Sequence, residues 1–417
     1  MPFSLCALLK KLILINRLEI PFAIHGHGTI AAFDTVLSRK PPDVDRSRFQ
    51  PHEFSDETPI RHAAGIEAPT AAGPAFMTAL DPHRAALALA IPVAAALICA
   101  GLIVLLRPLL QRYALARPNA RSSHVTPTPQ GGGIAVMAAT AVAAVLVGLL
   151  WAPGLGSAIP IVLAAAFFLA AVGMIDDLRP IPVVPRLALQ FAVITLLFAT
   201  VPPQLRILES LPLWLERAVM IVGLLWFVNL VNFMDGLDWM TVAEMLPMTV
   251  ALAAFAFLGE APSEVLPIAL ALAGALLGFA PFNRPVARLF LGDVGSLPIG
   301  LLTGWCLIEM ASRQHFAAAL LLPLYYLADA TITLFRRMAA RERFWDAHRS
   351  HFYQRATDNG FSVRRVVTEL FLLNLVLAGL ATISIAAGST RVDLATLVLG
   401  AFGVMIVLAR FSRSPNG

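Results

Sequence analysis

"IVLAAAFFLAAVGMIDDLRPIP" (Ile161–Pro182) is an apolar run that ends on two adjacent carboxylates, Asp176 and Asp177, followed by Pro180 and Pro182. A helix needs about 17–25 apolar residues to cross a hydrocarbon core of ~30 Å. Similar runs lie near 85–106, 133–151, 157–175, 186–201, 216–234, 242–259, 264–281, 294–310, 316–335, 363–387 and 393–410, eleven in all. The 417 residues are 58% hydrophobic and 14% charged, against roughly 45–50% and about 25% in soluble domains. Lipid cannot satisfy a free backbone donor, and the alternation of a membrane barrel is absent, so the spans must be helices. The expected fold is all-α, a polytopic integral membrane protein with about eleven transmembrane helices. Cys6, Cys99 and Cys306 are far apart and form no CxxC, which points to neither a disulfide framework nor a zinc site.

The first 76 residues differ in kind. They hold all three lysines (Lys10, Lys11, Lys40), whereas every cationic side chain after Met77, histidine aside, is arginine. Residues 37–74 are rich in Pro, His, Asp and Arg without apolar period and read as disordered. The apolar stretch 3–23 is broken by Lys10, Lys11, Arg17 and Glu19. The expected division is an N-terminal extension, 1–76, and a transmembrane domain, 77–417.

Charge sets the expected orientation. With the segment before the first span outside, the inside loops carry Arg107, Arg112, Arg117, Arg121, Arg179, Arg186, Arg284, Arg288 and a cluster from Arg336 to Arg365, while the outside loops carry Arg206, Arg217, Arg313 and Arg391. By the positive-inside rule the acidic motifs face the cytoplasm. The polar loops gather on that face: "RPNARSSHVTPTPQGGG" (117–133), "DDLRPIPVVPR" (176–186), "NFMDGLDWM" (232–240), "FNRPVARLFLGDVGS" (282–296) and "RRMAARERFWDAHRSHFYQRATDNG" (336–360).

Asp176, Asp177, Asp235, Asp238 and Asp293 all stand where a span meets the cytoplasm, and a charge beside lipid is costly unless paired or wet. Such a cluster offers the hard oxygen ligands that Mg²⁺ takes, with room left for water and phosphate. His348, His351 and Arg355 recur at i, i+3 and i+7, one face if helical, and arginine can fork onto phosphate oxygens. A zinc reading of His-x-x-His lacks further ligands nearby. Gly131–Gly133 reads as a hinge or as backbone approaching a phosphate closely. Asn229 and Asn232 share a helical face and point inward, as structural glue or toward substrate. In 282–296, Pro285 ends a helix, and Gly292–Asp293 with Gly295–Ser296 makes a tight turn that presents a carboxylate.

Over residues 84–411 these motifs, in this order, resemble the polyprenyl-phosphate N-acetylhexosamine-1-phosphate transferases, glycosyltransferase family 4, related to the phospho-N-acetylmuramoyl-pentapeptide transferases. The resemblance implies transfer of an N-acetylhexosamine 1-phosphate from a UDP-sugar to undecaprenyl phosphate, with release of UMP, at the cytoplasmic face of the bacterial inner membrane. It implies Mg²⁺, with Mn²⁺ as an alternative, held by Asp293 and Asp235. Asp176, Asp177 and Asp235 are the expected catalytic residues, and which of the adjacent pair binds metal and which takes a proton is left open. Asn232, Asp238, Asn283, Phe290, His348, His351 and Arg355 are the expected substrate contacts, Phe290 stacking on uracil. Two departures stand out. Trp239 occupies the position of a glycine after the last Asp of "DGxDG", where it could crowd the uridine pocket, and Gln130 replaces a basic residue. "HRSH" in place of a triple-histidine tract points away from peptidoglycan precursors and toward O-antigen initiation, from UDP-GlcNAc or a 6-deoxy relative. The expected partners are the UDP-sugar, the lipid phosphate and membrane lipid, with no nucleic acid; the oligomeric state stays open, a homodimer included. A secondary transporter fits less well, because its ionisable groups sit near the midplane in broken helices. A CDP-alcohol phosphotransferase is disfavoured because Gly236 leads into "LDWM" rather than Ala-Arg.

Overall fold

The computed structural model describes residues 82–116, 127–151, 158–343 and 348–413, all within the compact unit Pro69–Gly417. The extension expected over 1–76 lies outside the described residues. So do 117–126 of the first polar loop and 344–347 of the fifth.

Among the described residues, thirteen helices are joined by one short ribbon. They are α1 (Pro82–Tyr113), the strands β1 (Leu115–Ala116) and β2 (Thr128–Pro129), then α2 (Gly132–Trp151), α3 (Ala158–Leu178), α4 (Val183–Ala199) and α5 (Leu213–Met234). Next come α6 (Met240–Phe257), α7 (Val265–Phe279), α8 (Asp293–Ala311), α9 (Phe316–Leu321), α10 (Leu324–Ala339), α11 (Phe352–Asp358), α12 (Val363–Ala387) and α13 (Thr390–Phe411). The helices α1, α3, α5, α6, α8, α12 and α13 are long and apolar enough to cross a membrane, and α2, α4 and α7 are shorter apolar helices. The chain is an all-α, multi-pass membrane protein.

The segment expected as one span over 316–335 is instead two helices, broken where Pro323 becomes the N-cap of α10. Proline has no N–H to continue the ladder of the helix before it. The helix expected to end at Pro285 ends at Phe279. Pro281, two residues on, has no amide to extend it.

Packing sorts the helices by composition. α7, apolar on every side, is buried along almost its whole length against α1, α2 and α6, and α8 is enclosed by α3 and α5. Small residues let these axes approach. A side chain at Gly274 or Gly278 would run into α1 at Pro92 or Ala96, and one at Gly300 would meet Val228 of α5. On the periphery, α1 turns Leu89, Val93, Leu97, Val104 and Leu105 outward, and α13 turns out Leu394, Val398, Phe402 and Met405. Water would not tolerate such a continuous apolar belt, but lipid matches it.

Candidate active site

The centre of the site is the turn that starts α8. Gly292, at φ 76°, is the N-cap, in the left-handed region that glycine enters without cost. From one side the triple glycine docks on this turn: Gly132 N–H donates to Phe290 O and Gly133 N–H to Leu291 O, both at 2.9 Å. A Cβ on Gly133 would strike the backbone of Gly295, and one on Gly173 of α3 would strike the carbonyl of Asp293. The close approach that the triple glycine permits is therefore to the protein's own backbone. A glycine-lined socket holds the turn in place.

Asp177, at the end of α3, caps α8 across the molecule. Its Oδ1 accepts from the Asp293 amide at 3.0 Å and its Oδ2 from the Val294 amide at 3.1 Å. These are orphan donors at the positive end of a helix, where a carboxylate is favoured. Gln130 Nε2 donates to Asp177 O at 2.9 Å and tightens the same junction. Asp176 faces otherwise: it accepts from the Ile181 amide and from Arg186 Nη1, each at 2.6 Å. The same Nη1 lies 3.7 Å from Asp293 Oδ2, and the Asp176 and Asp293 carboxyls sit side by side. Asp293 Oδ1 accepts from Asn232 Nδ2 at 2.8 Å, and Asn232 reaches Ser296 Oγ at 2.9 Å. Asn229, three residues earlier, donates to Gln190 Oε1 at 2.6 Å. Both amides point inward, as their spacing predicts, and bind protein groups.

Asp235 terminates α5 and is hydrogen-bonded by the Thr241 hydroxyl. Burial pushes its carboxyl up to about 7; the Thr241 bond opposes this, and repulsion from Asp177 and Asp238 adds to it. Its acidic neighbours include Asp177 and Asp238. Asp238 is buried and its Oδ2 accepts from the Ala287 amide at 2.9 Å. Asn283, also buried, accepts from the Trp239 amide at 2.7 Å and donates to Leu289 O at 3.0 Å. These two side chains bind the loop 282–291 to the start of α6. Trp239 sits at φ 63°, which explains why glycine suits this position. Its indole Nε1 donates to Ala280 O at 2.6 Å, so the ring is moored to the end of α7. Phe290, half-buried, is tied through its backbone to Gln130 and Pro129.

The histidine loop is not one helix. His351 is the N-cap of α11 and His348 precedes it, yet their rings lie 4.9 Å apart. His348 Nδ1 is 2.8 Å from Ser350 Oγ, and Arg355 lies over the Phe352 ring at 6.0 Å. Tyr353 carries this loop to the acids: its hydroxyl donates to Phe233 O at 3.0 Å and its ring covers Gly236. A second tie runs from Arg364 to Pro285 O at 3.2 Å.

Sequence reasoning missed four contributors. Arg186 counted only as an inside charge, although an arginine ten residues beyond an Asp-Asp pair could have been tested as its counter-ion. Gly173 gave no signal, because its need is steric and its neighbour is distant in sequence. Thr241 gave none either. Asp329 was visible, as a carboxylate inside the apolar segment 316–335 is expensive without a role. It is fully buried beneath the histidine loop.

The chemistry available is therefore a group of carboxylates with the Arg186 guanidinium beside them, tied through Tyr353 to the histidine loop. Among the described residues no three His, Cys, Asp or Glu side chains are arranged to hold a metal ion by themselves.

Comparison with known proteins agrees with this arrangement. Residues 159–311 match the family model described as glycosyl transferase family 4. A decaprenyl-phosphate N-acetylglucosaminephosphotransferase of Mycobacterium tuberculosis is 30% identical over 336 residues, 70% of this chain and 80% of the relative. The protein of that name from Mycolicibacterium smegmatis is 28% identical over 347 residues, 73% and 84% of the two chains. A Bacillus subtilis protein named "Probable undecaprenyl-phosphate N-acetylglucosaminyl 1-phosphate transferase" is 23% identical over 294 residues, 66% and 79%. With the glycine-socketed turn, the capped α8 and the histidine loop in the order the motifs predict, the chain belongs to the polyprenyl-phosphate N-acetylhexosamine-1-phosphate transferases, glycosyltransferase family 4.

Proposed function

We propose that the protein transfers an N-acetylhexosamine 1-phosphate from a UDP-sugar to undecaprenyl phosphate, at the cytoplasmic face of a bacterial inner membrane, as the first step of a surface polysaccharide such as O-antigen. The carrying observation is the junction in which Asp177 and Asn232 hold Asp293 beside Asp176 and Arg186. In the reaction, an oxygen of the lipid phosphate attacks the β-phosphorus of the UDP-sugar. The bond from that phosphorus to the α–β bridging oxygen breaks, and UMP leaves with the electron pair.

Each part of the site has work in this scheme. Arg186 Nε is buried without a hydrogen-bond partner among the described residues and suits an incoming phosphate oxygen. Asp235, at about 7, is a carboxylate suited to take a proton from the lipid phosphate near neutral pH. His348, His351 and Arg355 would contact the diphosphate of the nucleotide sugar. The adjacent oxygens of Asp176 and Asp293 fit Mg²⁺, which is commonly bound by one or two carboxylates plus substrate phosphate. Mg²⁺ held there would supply charge neutralisation between two anionic reactants. The excess of arginine on the loops around these acids supports the cytoplasmic orientation.

The test is UMP release by purified protein given UDP-N-acetylhexosamines one at a time, with undecaprenyl or decaprenyl phosphate. Release that depends on both substrates, with a lipid-diphosphate sugar by mass spectrometry, is expected, UDP-GlcNAc or a 6-deoxy relative being the best donor. No release with any donor, Mg²⁺ and Mn²⁺ included, would reject the reading.

A further inference from the structure

Asp329, on the inner face of α10, is fully buried and lies outside the predicted site. Its Oδ1 accepts from His351 Nδ1 and from the Phe352 amide, both at 3.1 Å, and from the Thr333 hydroxyl at 3.3 Å. Its Oδ2 accepts from the Tyr325 hydroxyl at 2.9 Å and from the Tyr353 amide at 3.2 Å. Five donors converging on two oxygens suit a carboxylate that only accepts. His351 Nδ1 is then the protonated nitrogen, and Nε2 is the one left for chemistry. The ring packs against two others, 4.9 Å from His348 and 5.6 Å from Tyr353. Tyr353 in turn bonds Phe233 O, two residues before Asp235. His351 also opens α11 through a capping box with Gln354, whose Oε1 accepts from the His351 amide at 3.3 Å.

We propose that Asp329 is a positioning residue: by holding His351 as the Nδ1–H tautomer with its ring fixed, it presents Nε2 to the diphosphate of the nucleotide sugar. This rests on the transferase reading above. A carboxylate behind a histidine fixes tautomer and direction and strengthens the ring as a partner for charge, and behind a metal-bound histidine its loss typically costs about 10–100-fold.

The experiment is a double-mutant cycle on the purified full chain, with UMP release as readout. Asp329→Asn and His351→Gln should each lower kcat by about 10–100-fold, with KM for the UDP-sugar changed by less than about threefold. The double variant should be no slower than His351→Gln alone, because Asp329 acts through that ring. An Asp329→Asn effect of equal size in both backgrounds, or none in either, would overturn the proposal. If Asp329→Asn fails to fold, Tyr325→Phe removes one donor and leaves both amide caps. It should change kcat by about twofold or more in the parent and not at all beside His351→Gln; equal changes in both, or none, would overturn the proposal too. A parent that releases no UMP would reject the transferase reading itself, whereas an active parent with additive variants rejects the role of Asp329 alone.

Discussion

At Asp293 a carboxylate keeps one oxygen on Asn232 and turns the other toward Arg186, whereas Asp177 commits both oxygens to the amides that open α8. The same substitution should therefore fail differently at the two sites. Asp293→Asn keeps size and removes charge, so UMP release should fall by several powers of ten with thermal unfolding unchanged. Asp177→Asn turns an amide donor toward a backbone donor and should lower stability by about 0.5–2 kcal/mol, with a smaller loss of turnover that added Mg²⁺ does not restore. Near-normal release by Asp293→Asn at saturating UDP-sugar would remove it from the centre of the site. Trp239 poses a different question, because its left-handed backbone disfavours any side chain. Trp239→Gly should unfold at a higher temperature than Trp239→Ala, a difference of about 1–2 kcal/mol, since both lose the indole bond and only alanine keeps the strain. With the ring moored to Ala280 O, KM for the UDP-sugar should hold in Trp239→Gly; a large rise would place the indole in the uridine pocket.

At the scale of elements, α2, α3 and α8 meet through backbone rather than through interlocking side chains. Gly133 and Gly173 allow this, and nothing larger fits at either position without moving a helix. Gly133→Ala should cost about 1–3 kcal/mol by overpacking and should lower activity, although it touches no acid. Gly223→Ala on α5 is the matched control, because a Cβ there meets open space; it should be neutral or stabilising by up to about 1 kcal/mol. Equal losses for the two, read by unfolding temperature and UMP release, would show that the socket is not needed. The helix positions around these glycines were legible from hydropathy, since each apolar run except 316–335 falls on one helix. The break at Pro323 was not read, because the apolar pattern continues straight across it.

For the whole molecule, the arginine imbalance and the gathering of the polar motifs at one end of the helices point to one orientation. Labelling of single cysteines in spheroplasts tests it, in a protein whose native Cys6, Cys99 and Cys306 are replaced. Arg343→Cys, exposed on the fifth polar loop, should resist a membrane-impermeant maleimide until the cells are lysed. Glu209→Cys, exposed on the opposite side, should react at once. The reverse pattern would invert the topology and reject the cytoplasmic placement proposed for the acids.

The sequence by itself determined the class of fold, the places where helices run and the loops where polar residues gather. Hydropathy and charge bias are properties of contiguous residues, so they survive without coordinates. It also marked Asp176, Asp177, Asp235, Asp293 and the histidines as worth attention. Only the tertiary structure decided what each of them touches. Asp177 reaches amides 116 and 117 residues away, Asn232 reaches Asp293 across 61, and Asp329 reaches His351 across 22. A cap supplied from another helix depends on which ends the packing brings together, and that packing follows from small residues whose need for closeness has no local signature.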